Sequence, residues 1–320
     1  MERLKRTEKN TLTERVLQFG EGNFLRGFVD WMIDKLNKEN GGDYGVTIVQ
    51  PLAGGLVDKL NAQDGRYSLY LRGLLKGEKV EETRIVDCVT RGINPYTNTD
   101  EFFECAKNPD LRFIVSNTTE AGIEYKPNQN PDDFNGLTFP GRLTLFMKKR
   151  FDEGLGGFIL LPCELIDKNG DNLKECILKY SVDWGYGDEF EKWIETENHF
   201  TNTLVDRIVT GYPRDNAKEM EQSYGYLDDM IDTAEIFHLW VIEGDKKLAE
   251  EIPFHKIGLN VLWTDDVTPY KKRKVRILNG AHTMTVLAAH LVGLETVKDA
   301  MDDELVFSFM KQGIFEEIIP

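Results

Sequence analysis

A strand, a glycine turn, a helix and a second strand can be predicted from the apolar positions of residues 15–51. The run RVLQFGEG at 15–22 predicts a short buried strand that enters a glycine turn, and YGVTIVQP at 44–51 predicts a β-branched strand that ends at proline. Gly41 and Gly42 follow a helical stripe of four apolar residues spaced by four, Phe24, Phe28, Met32 and Leu36. That order of elements predicts a βαβ unit.

The alternation of helix and strand continues along the next hundred or so residues. Further elements are predicted, in chain order, at 99–109 (helix), 111–122 (strand and polar loop), 141–154 (helix) and 156–166 (strand). Thr99 or Asp100 is the expected cap of the first of these helices. Residues 69–93 predict β-hairpin-like additions to the same domain. The first part of the chain therefore belongs to the α/β class.

The later part of the chain predicts mainly helices. Helical stretches dominate from about Gly170, and beyond Tyr226 the strand pattern is confined to 237–244 and 259–266. We therefore place a domain boundary near residue 225. An α/β domain is expected at 1–225, followed by a mainly α-helical domain at 226–320.

Composition and charge exclude several classes of function. An apolar fraction of 41% and a charged fraction of 29% are ordinary for a globular protein. The net charge of −16 repels nucleic acid and anionic membranes. No apolar run is long enough for a membrane span, and the charged amino terminus lacks the apolar centre of a signal peptide, so the cytoplasm is expected. The four scattered cysteines predict neither a zinc site nor a disulfide framework.

The first glycine turn is a candidate dinucleotide site. Gly20 and Gly22 follow the first strand, where backbone N–H groups at a helix amino terminus can meet a pyrophosphate. The glycine spacing is looser than the usual fingerprint, and many strand–helix turns carry two glycines. The second strand ends at Gln50-Pro51 without the usual carboxylate for the ribose. These residues alone therefore leave NAD and NADP both open.

Lys274, Asn279 and His282 form a candidate catalytic group. On an α-helix of about 100° per residue they would lie at about 0°, 140° and 80°, on one side of the helix. A lysine can donate a proton, an amide can polarise a carbonyl oxygen, and an imidazole can bind a neighbouring hydroxyl. The alternative is a solvated basic face at 271–274, a loosened turn and a packed histidine.

The spacing K-x-x-x-x-N-x-x-H of these three residues resembles the signature of the polyol-specific long-chain dehydrogenases, the mannitol dehydrogenase family. The resemblance extends over essentially the whole chain. Five ordered blocks carry it: FGEGNFLRGFVDW, FIVSNTTEAGI, PCELIDKNGD, TLVDRIVTGYPRD and VRILNGAHT.

The resemblance implies an enlarged Rossmann domain, a helical carboxy-terminal domain, NAD as cofactor and no metal. It implies the reversible reduction of a keto-uronate, such as tagaturonate to altronate, with a small sugar acid as the substrate. It assigns Lys274 as acid/base, Asn279 as oxyanion donor and His282 as substrate ligand. The cofactor residues implied are Gly20, Gly22, Asn23, Phe24, Asn117 and Thr118. The substrate residues implied are Glu120, Asn169 and Asp206.

Two departures from the family pattern accompany the resemblance. Leu165 stands where many relatives have an amide, and Asn169 is the candidate substitute. Relatives also continue beyond the point that corresponds to residue 320, so the helical domain is expected to be partial. For Asp206 and Arg207, the alternative to a place near the active site is an internal ion pair. For the whole chain, the alternatives are a fructuronate- or mannitol-type dehydrogenase and a catalytically silent nucleotide-binding fragment.

Overall fold

Twelve strands make up three sheets in the computed structural model, which describes residues 1–75 and 77–320. The strands are β1 (Glu14–Phe19), β2 (Gly45–Val49), β3 (Tyr67–Leu75), β4 (Glu78–Val86), β5 (Val89–Ile93), β6 (Phe113–Ser116), β7 (Ile159–Pro162), β8 (His199–Phe200), β9 (Asn202–Asp206), β10 (Asp232–Glu235), β11 (Leu239–Glu243) and β12 (Val261–Thr264). The main sheet has the order β5-β2-β1-β6-β7-β8, and all its neighbouring strands are parallel.

Helices connect these strands and form the carboxy-terminal part of the chain. The α-helices are α1 (Asn23–Leu25), α2 (Trp31–Asn40), α3 (Val57–Ala62), α4 (Thr99–Cys105), α5 (Phe139–Asp152), α6 (Asn169–Asp183), α7 (Asp188–Glu197), α8 (Ala217–Tyr224), α9 (Thr268–Arg273), α10 (Gly280–Leu291), α11 (Val297–Asp302) and α12 (Glu304–Gln312). Three π-helical segments lie at Arg26–Asp30, Lys274–Asn279 and Gly313–Ile318, and short 3₁₀ turns lie at Phe134–Gly136, Lys246–Glu250 and Phe254–Ile257.

The main sheet carries an apolar core on each face. Val16 packs with Phe28 and Met32 on one face, while Leu17 and Phe19 pack on the other. A parallel sheet covered on both faces explains why its strands are near-continuous apolar runs. The predicted helical stripe is confirmed, and it continues through the π-helical segment Arg26–Asp30 into α2.

One predicted helix cap is corrected. The cap of α4 is Asn98, whose side chain accepts a hydrogen bond from the Glu101 N–H, rather than Thr99 or Asp100. Asn98 keeps a non-helical backbone, whereas Thr99 is already the first residue of α4. An asparagine in that position can bind the free amide of the first turn.

The chain divides between Asp265 and Asp266, later than the expected boundary near residue 225. The reason is strand pairing across long stretches of sequence. β10 pairs in parallel with β3, and β11 pairs antiparallel with β9, so residues 232–264 belong to the first unit. β3 and β4 form the expected antiparallel hairpin, and the strand patterns at 237–244 and 259–266 become β11 and β12.

The second unit, Asp266–Pro320, is helical throughout its secondary structure. Its buried apolar cluster contains Ala289, Ala300 and Val306, with Leu294 packed against it. Among residues 1–75 and 77–320, no helix combines the length and apolar character that crossing a bilayer requires.

A polar cluster is buried around Asp30, the last residue of the π-helical segment Arg26–Asp30. Asp30 is fully buried, and its carboxylate accepts hydrogen bonds from Tyr67 Oη at 3.2 Å and Gln18 Nε2 at 3.4 Å. Burial raises the pKa of Asp30 from 3.8 to about 7, and it raises the pKa of the neighbouring Asp232 to about 6. Burial outweighs the hydrogen bonds because an ionised carboxylate loses its hydration here.

We predict that Asp30 makes a contribution to the free energy of unfolding that falls as the pH rises from about 4 to about 7. In that window the folded state holds a proton on Asp30 that the unfolded state has released, so each step up in pH favours unfolding. Asp30→Asn should flatten this dependence, which for one such group is worth on the order of a few kcal/mol. Urea unfolding at several pH values measures it. The exposed Asp188→Asn control should keep the wild-type slope, and an equally steep slope in Asp30→Asn would contradict the assignment.

Candidate cofactor and catalytic sites

The turn after β1 contains Gly20 and Gly22. It requires glycine at position 20 and leaves open space at position 22. Gly20 has a φ of 128°, and a Cβ placed there would lie 3.2 Å from both the Asn117 carbonyl oxygen and Leu25 Cδ1. Its N–H donates to the Val49 carbonyl at 3.1 Å, which joins the ends of β1 and β2. A Cβ on Gly22, at the amino terminus of α1, would meet nothing within 4 Å. The turn therefore leaves room for a group that binds helix N–H donors.

Arg26 holds this turn in place, although the sequence pattern gave it no role beyond the glycine motif. The side chain is 1% exposed, and it donates to the Glu21 carbonyl at 3.1 Å and to Asn23 Oδ1 at 2.7 Å. Its third contact is the Met230 carbonyl at 2.6 Å. Asn23 is exposed, and its amide oxygen is used by Arg26. Phe24 is half-buried, and its ring stacks on Phe28 with centroids 5.0 Å apart.

The loop after β6 lies beside the glycine turn. The Asn117 N–H donates to the Phe19 carbonyl at 3.1 Å, and its side-chain amide donates to the Cys163 carbonyl at 3.2 Å. The carboxyl ends of neighbouring parallel strands meet at one edge of the sheet, where Rossmann-type domains bind their ligands. Gly20, Asn117 and Thr118 are thus brought together at the expected edge.

Glu164 is a structural member of this edge that the sequence pattern did not single out. Its carboxylate accepts from the Thr118 N–H at 2.9 Å, Thr118 Oγ1 at 3.0 Å and Ser116 Oγ at 3.1 Å. Burial raises the pKa of Glu164, and these hydrogen bonds partly oppose the effect. The only sequence signal was an acidic residue directly after a buried strand. A buried carboxylate with three donors fixes the loop that carries Asn117 and Thr118.

The surroundings of Asn169 do not support the substrate role expected for it. The side chain is 1% exposed, and its amide donates to the Pro162 carbonyl at 2.9 Å and the Glu164 carbonyl at 3.1 Å. Its oxygen accepts from the Thr203 N–H at 2.8 Å. The amide therefore joins β7, α6 and β9, and it has no group left for a ligand. Leu165, at the position where relatives have an amide, is 58% exposed.

Glu120 and Asp206 occupy different surroundings. Glu120 is exposed in the loop after β6, next to Thr119, which has a φ of 71°. Asp206 is the half-buried last residue of β9. The neighbouring Arg207 is buried, donates to the Gly27 carbonyl at 2.8 Å and lies 4.0 Å above the Trp31 ring. Burial lowers the pKa of Arg207 to about 10.

In the second unit, Lys274 and Asn279 are the first and last residues of a π-helical segment, not part of a regular α-helix. Bonding from i to i+5 widens the turn, so residues five apart lie closer to one face than the α-helical spacing predicts. Lys274 is half-buried, while Asn279 and His282 are exposed. His282 Nδ1 lies 2.8 Å from the Leu278 carbonyl, which can only accept. Nδ1 therefore carries a hydrogen in this contact, and in the tautomer with its hydrogen on Nδ1 the other nitrogen, Nε2, is an acceptor.

The cysteines show no metal or disulfide chemistry in the part of the chain that the structure describes. Cys88, Cys105, Cys163 and Cys176 are free and buried. Among residues 1–75 and 77–320, no group of three or more His, Cys, Asp or Glu side chains is arranged to hold a metal ion.

Comparison with known proteins identifies the family. Residues 14–256 match the model of the mannitol dehydrogenase Rossmann domain, and residues 266–320 match that of the mannitol dehydrogenase C-terminal domain. The chain belongs to the mannitol dehydrogenase family. The two matched regions meet close to the division between the structural units, and the expected α/β fold with a helical carboxy-terminal part is confirmed.

Curated relatives of this family member include altronate oxidoreductases. The chain is 49% identical over 312 residues to the altronate oxidoreductase of Shigella flexneri and 48% identical to that of Cronobacter sakazakii. These alignments cover 96% of this chain and 65% of each relative, so the chain spans about two thirds of their length.

Two solved structures share the fold at low sequence identity. A substrate-free D-sorbitol dehydrogenase matches with a TM-score of 0.83 at 24% identity, covering 99% of this chain and 68% of the other. The mannitol 2-dehydrogenase of Pseudomonas fluorescens, in a ternary complex with NAD and D-mannitol, matches with a TM-score of 0.79 at 21% identity. This match covers 99% of this chain and 66% of the other.

We predict that Glu164→Gln releases the loop after β6. Glutamine keeps one acceptor oxygen but removes the negative charge that strengthens the hydrogen bonds from Thr118. A hydrogen bond to a charged group is worth about 1.5–3 kcal/mol, against about 0.5–1.5 kcal/mol for a neutral one, so the Thr118 amide should exchange hydrogen roughly fivefold faster or more. Hydrogen exchange by mass spectrometry on residues 113–122 measures this. Glu120→Gln, on the same loop, is the matched control, and unchanged exchange in Glu164→Gln would show that the carboxylate does not hold the loop.

Proposed function

We propose that the chain catalyses the reversible NADH-dependent reduction of a keto-uronate, tagaturonate to altronate. The observation that carries the proposal is its 49% identity, over 96% of its length, to an altronate oxidoreductase. Such identity across both matched domains supports a shared reaction and substrate class. The solved relative with NAD bound supports the cofactor assignment, because its Rossmann-type fold is the same.

The glycine turn fits a dinucleotide cofactor. The space beside Gly22 is open, and the Asn117 carbonyl lies so close to Gly20 that a Cβ there would be 3.2 Å from its oxygen. In the proposal, Gly20, Gly22, Asn23 and Phe24 surround the pyrophosphate, and Asn117 and Thr118 face the nicotinamide. NADH bound there supplies the hydride for the carbonyl carbon.

The proposed chemistry of the second unit relies on three side chains. Lys274 gives a proton to the oxygen of the reduced carbonyl, and Asn279 donates a hydrogen bond to the same oxygen as negative charge develops on it. His282 accepts a hydrogen bond from a neighbouring substrate hydroxyl through Nε2. The π-helical segment supports this assignment, since such segments occur frequently at functional sites. Glu120 and Asp206 complete the proposed substrate set.

The proposed partner is a small sugar acid in the cytoplasm. A net charge of −16 disfavours nucleic acid and anionic membrane surfaces as partners. Four buried thiols without a disulfide agree with a reducing compartment.

The substrate is tested by following NADH absorbance with tagaturonate, fructuronate and fructose in parallel. The proposal expects oxidation of NADH with tagaturonate at a kcat/KM well above the values for the other two sugars. Preferential oxidation with fructuronate or fructose would contradict the substrate and leave the dehydrogenase chemistry in place. Silence with all three sugars would contradict the activity of this chain.

We predict that Lys274→Ala loses turnover while keeping its affinity for NADH. Removing a positioned general acid typically costs about 100- to 10,000-fold in rate. Steady-state kinetics and a fluorescence titration with NADH measure the two effects separately. Lys272→Ala, an exposed neighbour on α9, is the matched control and should retain wild-type turnover. Equal loss of turnover in both variants would refute a specific role for Lys274.

A further inference from the structure

The end of β2 lacks the acidic residue that commonly binds the adenosine ribose in Rossmann-type domains. β2 ends at Val49, and Gln50 follows it. The Gln50 side chain is 2% exposed, and its Nε2 donates to the Leu52 carbonyl at 2.8 Å and the Ala53 carbonyl at 3.1 Å. Because this amide is committed to its own loop, it is poorly placed to select between ribose and phosphorylated ribose.

A carboxylate reaches the same loop from the glycine turn. Glu21 lies between Gly20 and Gly22, is 8% exposed, and accepts a hydrogen bond from the Leu56 N–H at 3.3 Å. A Cβ added to Gly55 would collide with Glu21 Oε1 and with Gln50 Cδ. The Glu21 carboxyl group, the Gln50 amide and the Gly55 backbone therefore meet at the carboxyl end of β2.

Two guanidinium groups, one at this loop and one at the glycine turn, donate their hydrogen bonds to carbonyl groups. Arg142 donates to the Pro51 carbonyl at 2.8 Å and to the Leu137 carbonyl at 2.7 Å, with a third contact to Phe134 O at 3.2 Å. Arg26 binds the main-chain carbonyl of Glu21 rather than its carboxylate. A 2′-phosphate arriving at this loop would meet a carboxyl group, while these two guanidinium groups are engaged elsewhere.

We infer that Glu21 takes the place of the missing acidic residue at the end of β2 and selects NADH over NADPH. In this assignment its carboxylate accepts a hydrogen bond from a ribose hydroxyl and repels a 2′-phosphate. The inference rests on the proposed dinucleotide site and adds to it the residue that determines cofactor choice. It also explains why residue 55 is glycine, since the loop passes directly over the carboxyl group at that position.

The test is the ratio of NADH to NADPH affinity, measured by fluorescence titration of the unmodified chain and its variants. Glu21→Gln removes the charge at nearly constant size, so the preference for NADH should fall by about tenfold or more. Glu21→Asp keeps the charge and should keep the preference. Glu195→Gln, an exposed change on α7, is the control and should match the wild type.

The outcomes separate this inference from the proposed reaction. If Glu21→Gln weakens both cofactors equally, or if Glu21→Asp loses the preference as fully as Glu21→Gln does, Glu21 has only a structural role and the inference fails. Neither result depends on a sugar substrate. A wild-type chain that prefers NADH but leaves tagaturonate unreduced would refute the proposed reaction while the Glu21 variants still decide this inference.

Discussion

The buried guanidinium of Arg26 is the interaction on which the rest of the first unit depends. A charged group out of water is costly unless it is hydrogen-bonded, and here each of the three nitrogens donates to an oxygen acceptor. One acceptor belongs to Met230, some two hundred residues further along the chain, and two belong to the glycine turn. The Arg26 side chain thus connects the glycine turn after β1 to the segment that leads into β10. Arg207 makes a second connection of the same kind, from the end of β9 to the Gly27 carbonyl.

The carboxyl edge of the main sheet is organised by buried carboxylates rather than by loops alone. Glu164 fixes the loop after β6, and Glu21 contacts the loop after β2. Glu21 precedes Gly22 in the glycine turn, and Glu164 holds the loop whose Asn117 carbonyl lies beside Gly20. Burial raises the pKa of each, so each relies on backbone and hydroxyl donors to stabilise its charge. The edge is therefore pre-organised by the protein's own hydrogen bonds, which reduces the ordering that a cofactor must impose.

The local pattern of apolar residues predicted individual helices and strands. Contacts between residues far apart in sequence determined the features that this pattern could not predict. The spacing of Phe24, Phe28 and Met32 predicted the first helix, because periodicity records which face is buried. Two features depend on partners far away in sequence: β10 belongs to the first unit through β3, and Asn169 is buried by contact with Thr203. Neither partner can be inferred from the residues on either side.

In the candidate site, too, some features could be predicted from the sequence and others could not. The resemblance implied that the glycine turn and the loop after β6 share a cofactor, and the structure brings the two together where the ends of parallel strands converge. The roles of Arg26 and Glu164 were missed because a lone arginine or glutamate has no periodicity to reveal its burial. The spacing of Lys274 and Asn279 predicts a shared side only if the segment is a regular α-helix. The π-helical segment changes that geometry, and no residue pattern announced it.

The central claim is that the turn after β1 binds the cofactor. The most direct test is the affinity of the Gly20→Ala variant for NADH, with the Gly154→Ala variant as the matched control. Both glycines have a positive φ, 128° and 69°, so both substitutions strain the backbone. A Cβ at Gly154 meets nothing within 4 Å, whereas one at Gly20 presses on Asn117 and Leu25. If the turn after β1 holds the cofactor, the wild type and Gly154→Ala bind NADH alike and Gly20→Ala loses saturable binding while remaining folded by circular dichroism. Wild-type affinity in Gly20→Ala would contradict the placement of the cofactor at this turn.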